Sequence, residues 1–324
     1  MIEQLPGLDD VERAARSLGD RVHRTPLLSS RSLSERVGVP VWLKAELFQR
    51  TGPFKPRGVF TKLDSLGADE RRRGVISISA GNHAQALAYA CAREGIDCLV
   101  VMWPGASPLK LGAARGYGAT VDLKAANGDE AFARLAELLV ETGRTLVHPF
   151  DDDRVIAGQG TVGLELIEDL PGCDVAVVPV GGGGLIAGVA TAVCGLNPGA
   201  RIVAVEPEGS AALHWSLASG EPRRADGGRS IADGLVVPMV GQRCLAVARA
   251  LVAQTVTVTE DEIAEAFRFL YHRAKLAVEP AGAAAVAALL AGKVDVIGAG
   301  SVGAVVSGGN VAPEIASAIL AETG

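Results

Sequence analysis

The sequence predicts an α/β fold with largely parallel sheets and helices on both sheet faces. Two observations carry that expectation. Short β-branched runs alternate with helix-patterned stretches along most of the 324 residues, which is the rhythm of strand–helix–strand crossovers. Three of the strand runs also pass straight into glycine-rich turns, the construction that puts binding sites beyond the carboxyl ends of strands in open sheets.

Strands are expected at Val39–Lys44, Val75–Ser79, Cys98–Trp103, Thr120–Leu123, Asp174–Val180, Arg201–Glu206, Thr255–Thr259 and Val302–Val306. Between them, helices are expected at Ala84–Arg93, Glu130–Thr142, Gly160–Asp169, Leu185–Cys194 and Glu260–Lys275. Thr259, with Glu262 three residues on, forms a capping box that marks where the last of these begins. The length suits two compact domains or one large unit. The polar stretch His148-Pro149-Phe150-Asp151-Asp152-Asp153 is where the chain is expected to pass between domains. The charged, glycine-rich segment Ser219–Gly228 reads as an exposed loop.

A net charge of −6 gives no electrostatic reason for nucleic-acid or anionic-membrane partners. The five cysteines are odd in number and form no C-x-x-C pair, so they read as buried free thiols in a reducing compartment. The start MIEQLPGLDD has neither a basic segment nor an apolar core, so no secretory signal is expected. The apolar run Ala281–Gly292 is too short to span a bilayer. A cytoplasmic protein is expected. The histidines are scattered without ligand spacing, which argues against a metal centre.

Lys55 stands out because of its setting, Thr51-Gly52-Pro53-Phe54-Lys55-Pro56-Arg57-Gly58. Prolines stiffen the backbone on both sides of the Phe54–Lys55 pair, and Pro56 suits the first turn of a helix. A lysine that must deliver its amine to one point needs such a frame, as Schiff-base lysines do. Further on, Gly181-Gly182-Gly183-Gly184 follows a strand and leads into Leu185 and a helix, which makes a phosphate cradle of backbone N–H groups. A bare turn would need one or two glycines only. Ser79-Ala80-Gly81-Asn82-His83 opens another helix, with Asn82 expected as its N-cap, and also suits an anion. Ser307-Gly308-Gly309-Asn310 repeats the strand-to-glycine pattern more weakly. A competing pattern exists: Gly182, Gly184 and Ala187 fit G-x-G-x-x-A with Glu206 about twenty residues on, as in nicotinamide oxidoreductases. It leaves Lys55 and the Ser79–Gln85 loop without a role.

Taken together, these segments resemble the fold type II pyridoxal-phosphate-dependent serine/threonine dehydratases. The resemblance rests on Lys44-x-Glu46-x-x-Gln49-x-Thr51-Gly52-x-Phe54-Lys55-x-Arg57-Gly58, the Ser79–Gln85 loop, Gly181–Gly184 and Ser307–Asn310. It is supported by Ala157–Thr161, Ile231–Gly234 and Val278-Glu279-Pro280, and runs from about Val11 to the carboxyl end. It implies two parallel-sheet α/β domains, like those of the tryptophan synthase β chain, with the cofactor between them. Residues 1–67 plus 151–324 would form the large cofactor-binding domain, and 68–150 the small substrate-binding domain.

The resemblance also implies roles. Lys55 would form the Schiff base with pyridoxal 5′-phosphate and act as base at Cα. Phe54 would pack on the cofactor and Asn82 would bond its 3′-oxygen. Gly181 to Gly184 and Leu185 would hold the phosphate. Gly234 would lie against the ring, Glu279 would belong to the cofactor site, and Ser307 would face the pyridine nitrogen. Ser79, Ala80, Asn82 and His83 would receive a small amino-acid substrate. A hydroxyl at the pyridine nitrogen makes a weaker electron sink than an aspartate would, which suits elimination. The implied reaction is dehydration and deamination of a β-hydroxy amino acid such as L-threonine or L-serine, by a homo-oligomer (dimer or tetramer).

Three departures from the family pattern matter. Pro53 stands where serine is common. Ala80 stands where serine racemases of this fold carry an acidic serine, which argues for elimination over racemisation. Glu206 is present where some relatives bind a divalent cation, but its partner carboxylate would fall on Ala212. The alternatives within the fold are a 3-hydroxyaspartate dehydratase, a β-replacement synthase and a serine racemase. A nicotinamide-dependent oxidoreductase and a catalytically dead binding protein are the readings from other classes.

Overall fold

The computed structural model describes residues 5–104, 108–225 and 228–321. Its strands are β1 (Leu27–Ser29), β2 (Val41–Ala45), β3 (Val75–Ile78), β4 (Cys98–Val101), β5 (Thr120–Asp122), β6 (Thr145–Leu146), β7 (Val175–Pro179), β8 (Arg201–Pro207), β9 (Val252–Val258) and β10 (Val302–Val306). They form two sheets. One has six strands in the order β1-β2-β10-β7-β8-β9, with β1 antiparallel to β2 and the other pairs parallel. The other has four parallel strands in the order β5-β4-β3-β6.

The helices are α1 (Leu8–Leu18), α2 (Arg31–Val37), α3 (Pro56–Asp64), α4 (Ala68–Arg73), α5 (Asn82–Glu94), α6 (Pro108–Gly116) and α7 (Gly128–Thr142). They continue with α8 (Asp153–Asp169), α9 (Gly184–Leu196), α10 (Ala212–Ser219), α11 (Gln242–Leu251), α12 (Glu260–Phe269), α13 (Pro280–Leu290) and α14 (Pro313–Ala321).

Strand alternation divides the core into layers. In β7, Val175 and Val177 join one apolar cluster with α12 and α13, while Ala176 and Val178 join another with α8 and α9. A parallel strand covered on both faces therefore reads as an unbroken apolar run. The smaller sheet repeats the arrangement: Val75, Cys98 and Val100 face one cluster, and Ile76, Ile78, Leu99 and Val101 the other. Helix α13 is rich in alanine, and its short side chains are buried on the large sheet.

The structure departs from the sequence-based expectations at identifiable points. β1 and β6 were not expected; they have three and two residues, too few to show a period. Helix α8 begins at Asp153 rather than Gly160, because the Asp152 side chain accepts from the N–H groups of Arg154 and Val155 at 2.8 and 3.2 Å. The helix expected to reach Lys275 stops at Phe269 and continues as a π turn over Leu270–Ala274. The capping box holds, with Thr259 Oγ1 accepting from Glu262 N and Glu262 Oε2 from Thr259 N. In the segment expected to be exposed, Ser219–Arg224 are exposed but Ala225 is buried; Asp226 and Gly227 lie outside the described residues. So do Met1–Gln4 of the amino-terminal stretch. No helix among the described residues is long and apolar enough to cross a membrane.

Candidate active site

The loop before Lys55 is pinned on one side by Ser307–Asn310. Phe54 N donates to Ser307 O (3.2 Å), Gly309 N to Gly52 O (3.0 Å) and Asn310 Nδ2 to Thr51 O (2.8 Å). Thr51 and Gly52 turn through the left-handed region, at φ 66° and 90°. For threonine that conformation costs about 1–2 kcal/mol, so the surrounding bonds impose it. Lys55 then caps α3, with Pro56 in its first turn.

Beneath it, the fully buried Arg57 guanidinium is gripped by Glu46 (2.9 and 2.8 Å) and Glu165 (2.7 and 2.9 Å). Lys44 Nζ adds a bond to Glu165 (2.7 Å), so two cations face two carboxylates. A balanced, fully bonded set of this kind is the form in which charges are tolerated inside a protein. It moors the start of α3, from which Lys55 projects.

Lys55 Nζ donates to Pro149 O at 2.9 Å. Burial lowers its pKa to about 8, with Cys244 and Glu279 opposing that shift. The Phe54 ring lies 5.1 Å from the same nitrogen.

The glycine turn runs from the end of β7 into α9. Only Gly183 among its glycines has a left-handed φ, 94°. The others are required by close packing. A Cβ on Gly182 would lie 2.2 Å from the Phe150 ring, one on Gly184 3.0 Å from Phe150 Cα, and one on Gly181 3.1 Å from Leu235 Cα. On Gly183 it would lie 2.7 Å from Cys244 Cβ. The first N–H groups of α9, from Gly184 and Leu185, have no intrahelical acceptors and carry the positive end of the helix dipole.

The third segment starts α5. Gly81 is its N-cap and Asn82 its first helical residue, so Asn82 is not the cap that the sequence suggested. That releases its side chain for the cleft: Nδ2 donates to Glu279 Oε1 (2.6 Å), and Oδ1 accepts from Asn310 Nδ2 (3.0 Å). Gly234 faces the same space, since a Cβ there would stand 3.9 Å from Asn82 Nδ2. Ser79 Oγ accepts from Gly81 N, and Ala80 is partly exposed beside it. The His83 imidazole points elsewhere, with Nε2 near Ser77 Oγ (3.1 Å) and Val147 O (3.2 Å). Burial and the nearby Lys55 hold its pKa down to about 3, so the ring is neutral. Glu279 is buried and its pKa is pushed up to about 7, chiefly by desolvation.

Lys55, the Asn82 turn, the glycine turn, Gly234, Glu279 and Ser307 are thus joined through a chain of direct contacts. Phe150, Cys244, Leu235 and Lys110 also shape this space, and none was a site candidate in the sequence. Each meets the site through a contact across long stretches of chain.

The family model described as "Pyridoxal-phosphate dependent enzyme" matches residues 18–308. The chain belongs to this family. Its cofactor is pyridoxal phosphate. The L-threonine ammonia-lyase of Thermotoga maritima is 45% identical over 94% of this chain and 75% of the relative. The structure of maize serine racemase superposes with a TM-score of 0.93 at 35% identity, covering 96% of this chain and 95% of that one. The processed form of threonine deaminase isoform 2 from Solanum lycopersicum gives 0.90 at 33% identity, covering 98% and 90%. The two parallel-sheet domains expected of a fold type II enzyme are those of the structure.

The residues fit the cofactor. The site offers the Lys55 amine, a helix start whose first N–H groups have no intrahelical acceptors, and polar side-chain atoms without a partner. Gln85 Nε2 and Glu279 Oε2 are buried without a hydrogen bond. The nicotinamide reading fails on Glu206. Its two oxygens accept from Leu213 N (2.8 Å) and His214 N (2.7 Å), so it caps the start of α10 and is buried there rather than open to a ribose.

Proposed function

We propose that the protein is an ammonia-lyase that dehydrates and deaminates a β-hydroxy amino acid, L-threonine or L-serine, to a 2-oxo acid and ammonia. The observation that carries this is the Lys55 amine, which is desolvated, aimed by a moored helix start and bonded to a carbonyl rather than paired with a carboxylate. The relatives named for threonine support the substrate class.

In this reading the large domain, 1–67 plus 151–324, binds the cofactor and the small domain, 68–150, receives the substrate. The two sheets draw their strands from those two sets. When bound, the cofactor holds an amino acid by its amine and supplies an electron sink beside Cα. Gly181–Gly184 and Leu185 would hold its phosphate by N–H groups, Phe54 and Gly234 would pack on its ring, and Glu279, which accepts from Asn82 Nδ2, would hold that amide for its ring oxygen. With the cofactor bound, Lys55 would hold it through its side-chain amine. Its Nζ would also take the proton from the substrate Cα. A pKa near 8 keeps part of the amine unprotonated at neutral pH. Ser307 would offer the ring nitrogen a hydroxyl rather than a carboxylate, a weaker support for negative charge that suits loss of the β-hydroxyl.

Ser79 Oγ and the first N–H groups of α5 take the substrate carboxylate. His83 contributes its backbone, because its ring is neutral and turned to Ser77. Ala80 has no proton to give to the far face of Cα, which favours elimination over racemisation. The five free thiols support a reducing, cytoplasmic setting. A dimer or tetramer belongs to the same proposal by family resemblance.

The test is ammonia and 2-oxo acid release from L-threonine, L-serine and 3-hydroxyaspartate by the pyridoxal-phosphate-loaded protein. Threonine and serine should react, and Lys55→Ala should lose at least about 10²–10⁴-fold, the range for a positioned base. Undiminished release by Lys55→Ala would contradict the mechanism.

A further inference from the structure

One buried cation at the cleft takes no part in the chemistry of Lys55. Lys110 lies in α6, among the helices of the smaller sheet, and is 3% exposed. Its ammonium reaches residues of the larger unit: Nζ is 2.7 Å from Asp233 Oδ2 and 3.7 Å from Glu279 Oε2. On the way its stem passes the turn at Gly81, where a Cβ would lie 4.0 Å from Lys110 Cδ. A lysine is buried to this degree only with compensating negative charge. Among the described residues, that charge comes from across the cleft.

Both carboxylates occupy informative places. Asp233 adjoins Gly234 in the short turn Asp233–Leu235, and Glu279 is the N-cap residue of α13. Glu279 Oε1 accepts from Asn82 Nδ2 at 2.6 Å, whereas Oε2 has no hydrogen bond, its facing cation being Lys110. An ionised Glu279 can only accept, so it demands the NH₂ end of the Asn82 amide. A protonated Glu279 could donate, and the amide could then turn its oxygen instead. Burial already pushes Glu279 up to about 7 with Lys110 beside it. Without Lys110 the neutral acid gains further ground.

We propose that Lys110 is a positioning residue with two effects. It ties α6 to the Asp233–Leu235 turn across the cleft, and by keeping Glu279 ionised it fixes which end of the Asn82 amide faces the cofactor. The second effect rests on the assignment of Asn82 to the cofactor; the first does not.

Three variants of the full chain separate the effects: Lys110→Met removes both, Asp233→Asn weakens the tie while leaving Glu279 more readily ionised, and Lys110→Arg keeps the charge. Asp233 is largely exposed, so its variant should fold even if Lys110→Met does so poorly. Hydrogen exchange of the α6 peptide, without substrate, should speed up about tenfold or more in Lys110→Met and Asp233→Asn, on the scale of coupled sites. Lys110→Arg should stay near the native rate. The absorption and fluorescence bands of the bound cofactor should shift in Lys110→Met, hold in Asp233→Asn and return in Lys110→Arg. For ammonia release, kcat/KM should fall about 10–100-fold in Lys110→Met. Native exchange in Asp233→Asn would overturn the tie, and a native spectrum in Lys110→Met would overturn the effect on Asn82. Should the native protein bind cofactor yet release no ammonia, the proposed reaction fails while both readouts still decide the role of Lys110.

Discussion

At Lys55, burial supplies what a neighbouring base would otherwise have to supply. Removing water from an ammonium favours its neutral form, and the bond to Pro149 O gives direction without a strong counter-charge. His83 shows the same effect with a structural result. Its pKa is about 3 in the fold against an ordinary 6.5, so the unfolded chain binds a proton that the folded chain refuses. Its contribution to stability is therefore complete above pH 6.5 and is lost as pH falls toward about 3. Urea unfolding at pH 7, 5 and 4 should show a stability loss that is smaller in His83→Gln than in the native protein. Superimposable profiles would contradict the assignment. Lys55 was legible because prolines and glycines mark it locally. The orientation of His83 was not, since Ser77 and Val147 claim its ring through tertiary packing.

The elements that build the site are turns from strand into helix, and their glycines have distinct reasons. Gly183 alone needs a left-handed φ, while Gly181, Gly182 and Gly184 make room for Leu235 and Phe150. Gly183→Ala combines a backbone strain with a Cβ 2.7 Å from that of Cys244. It should weaken pyridoxal phosphate binding and lower stability by about 1–3 kcal/mol. Fluorescence titration and urea midpoints measure both, and native values in both would refute the packing argument. The principal strands could be read because doubly covered parallel strands leave continuous apolar runs. β1 and β6 escaped through shortness, and the start of α8 was hidden among three consecutive aspartates, Asp151–Asp153, any of which could cap. Glycine turns announce themselves in sequence, but the residues filling the space against them do not.

At the scale of the molecule, two parallel sheets place the ends of β3, β7 and β10 around one cleft. Six segments far apart in the chain then meet through a few bonds: Phe54 to Ser307, Asn82 to Glu279, Asn310 to Thr51, and Lys110 to Asp233. The first three join motifs that the sequence already displayed. The last joins a helix and a turn 123 positions apart, with nothing local to announce it. The whole arrangement serves one nitrogen atom. Borohydride reduction of the pyridoxal-phosphate-loaded protein, followed by digestion and peptide mass analysis, examines that atom directly. The pyridoxyl mass should appear on the peptide containing Lys55 and vanish from the digest of Lys55→Ala; an unmodified Lys55 with the label on another lysine would contradict the account.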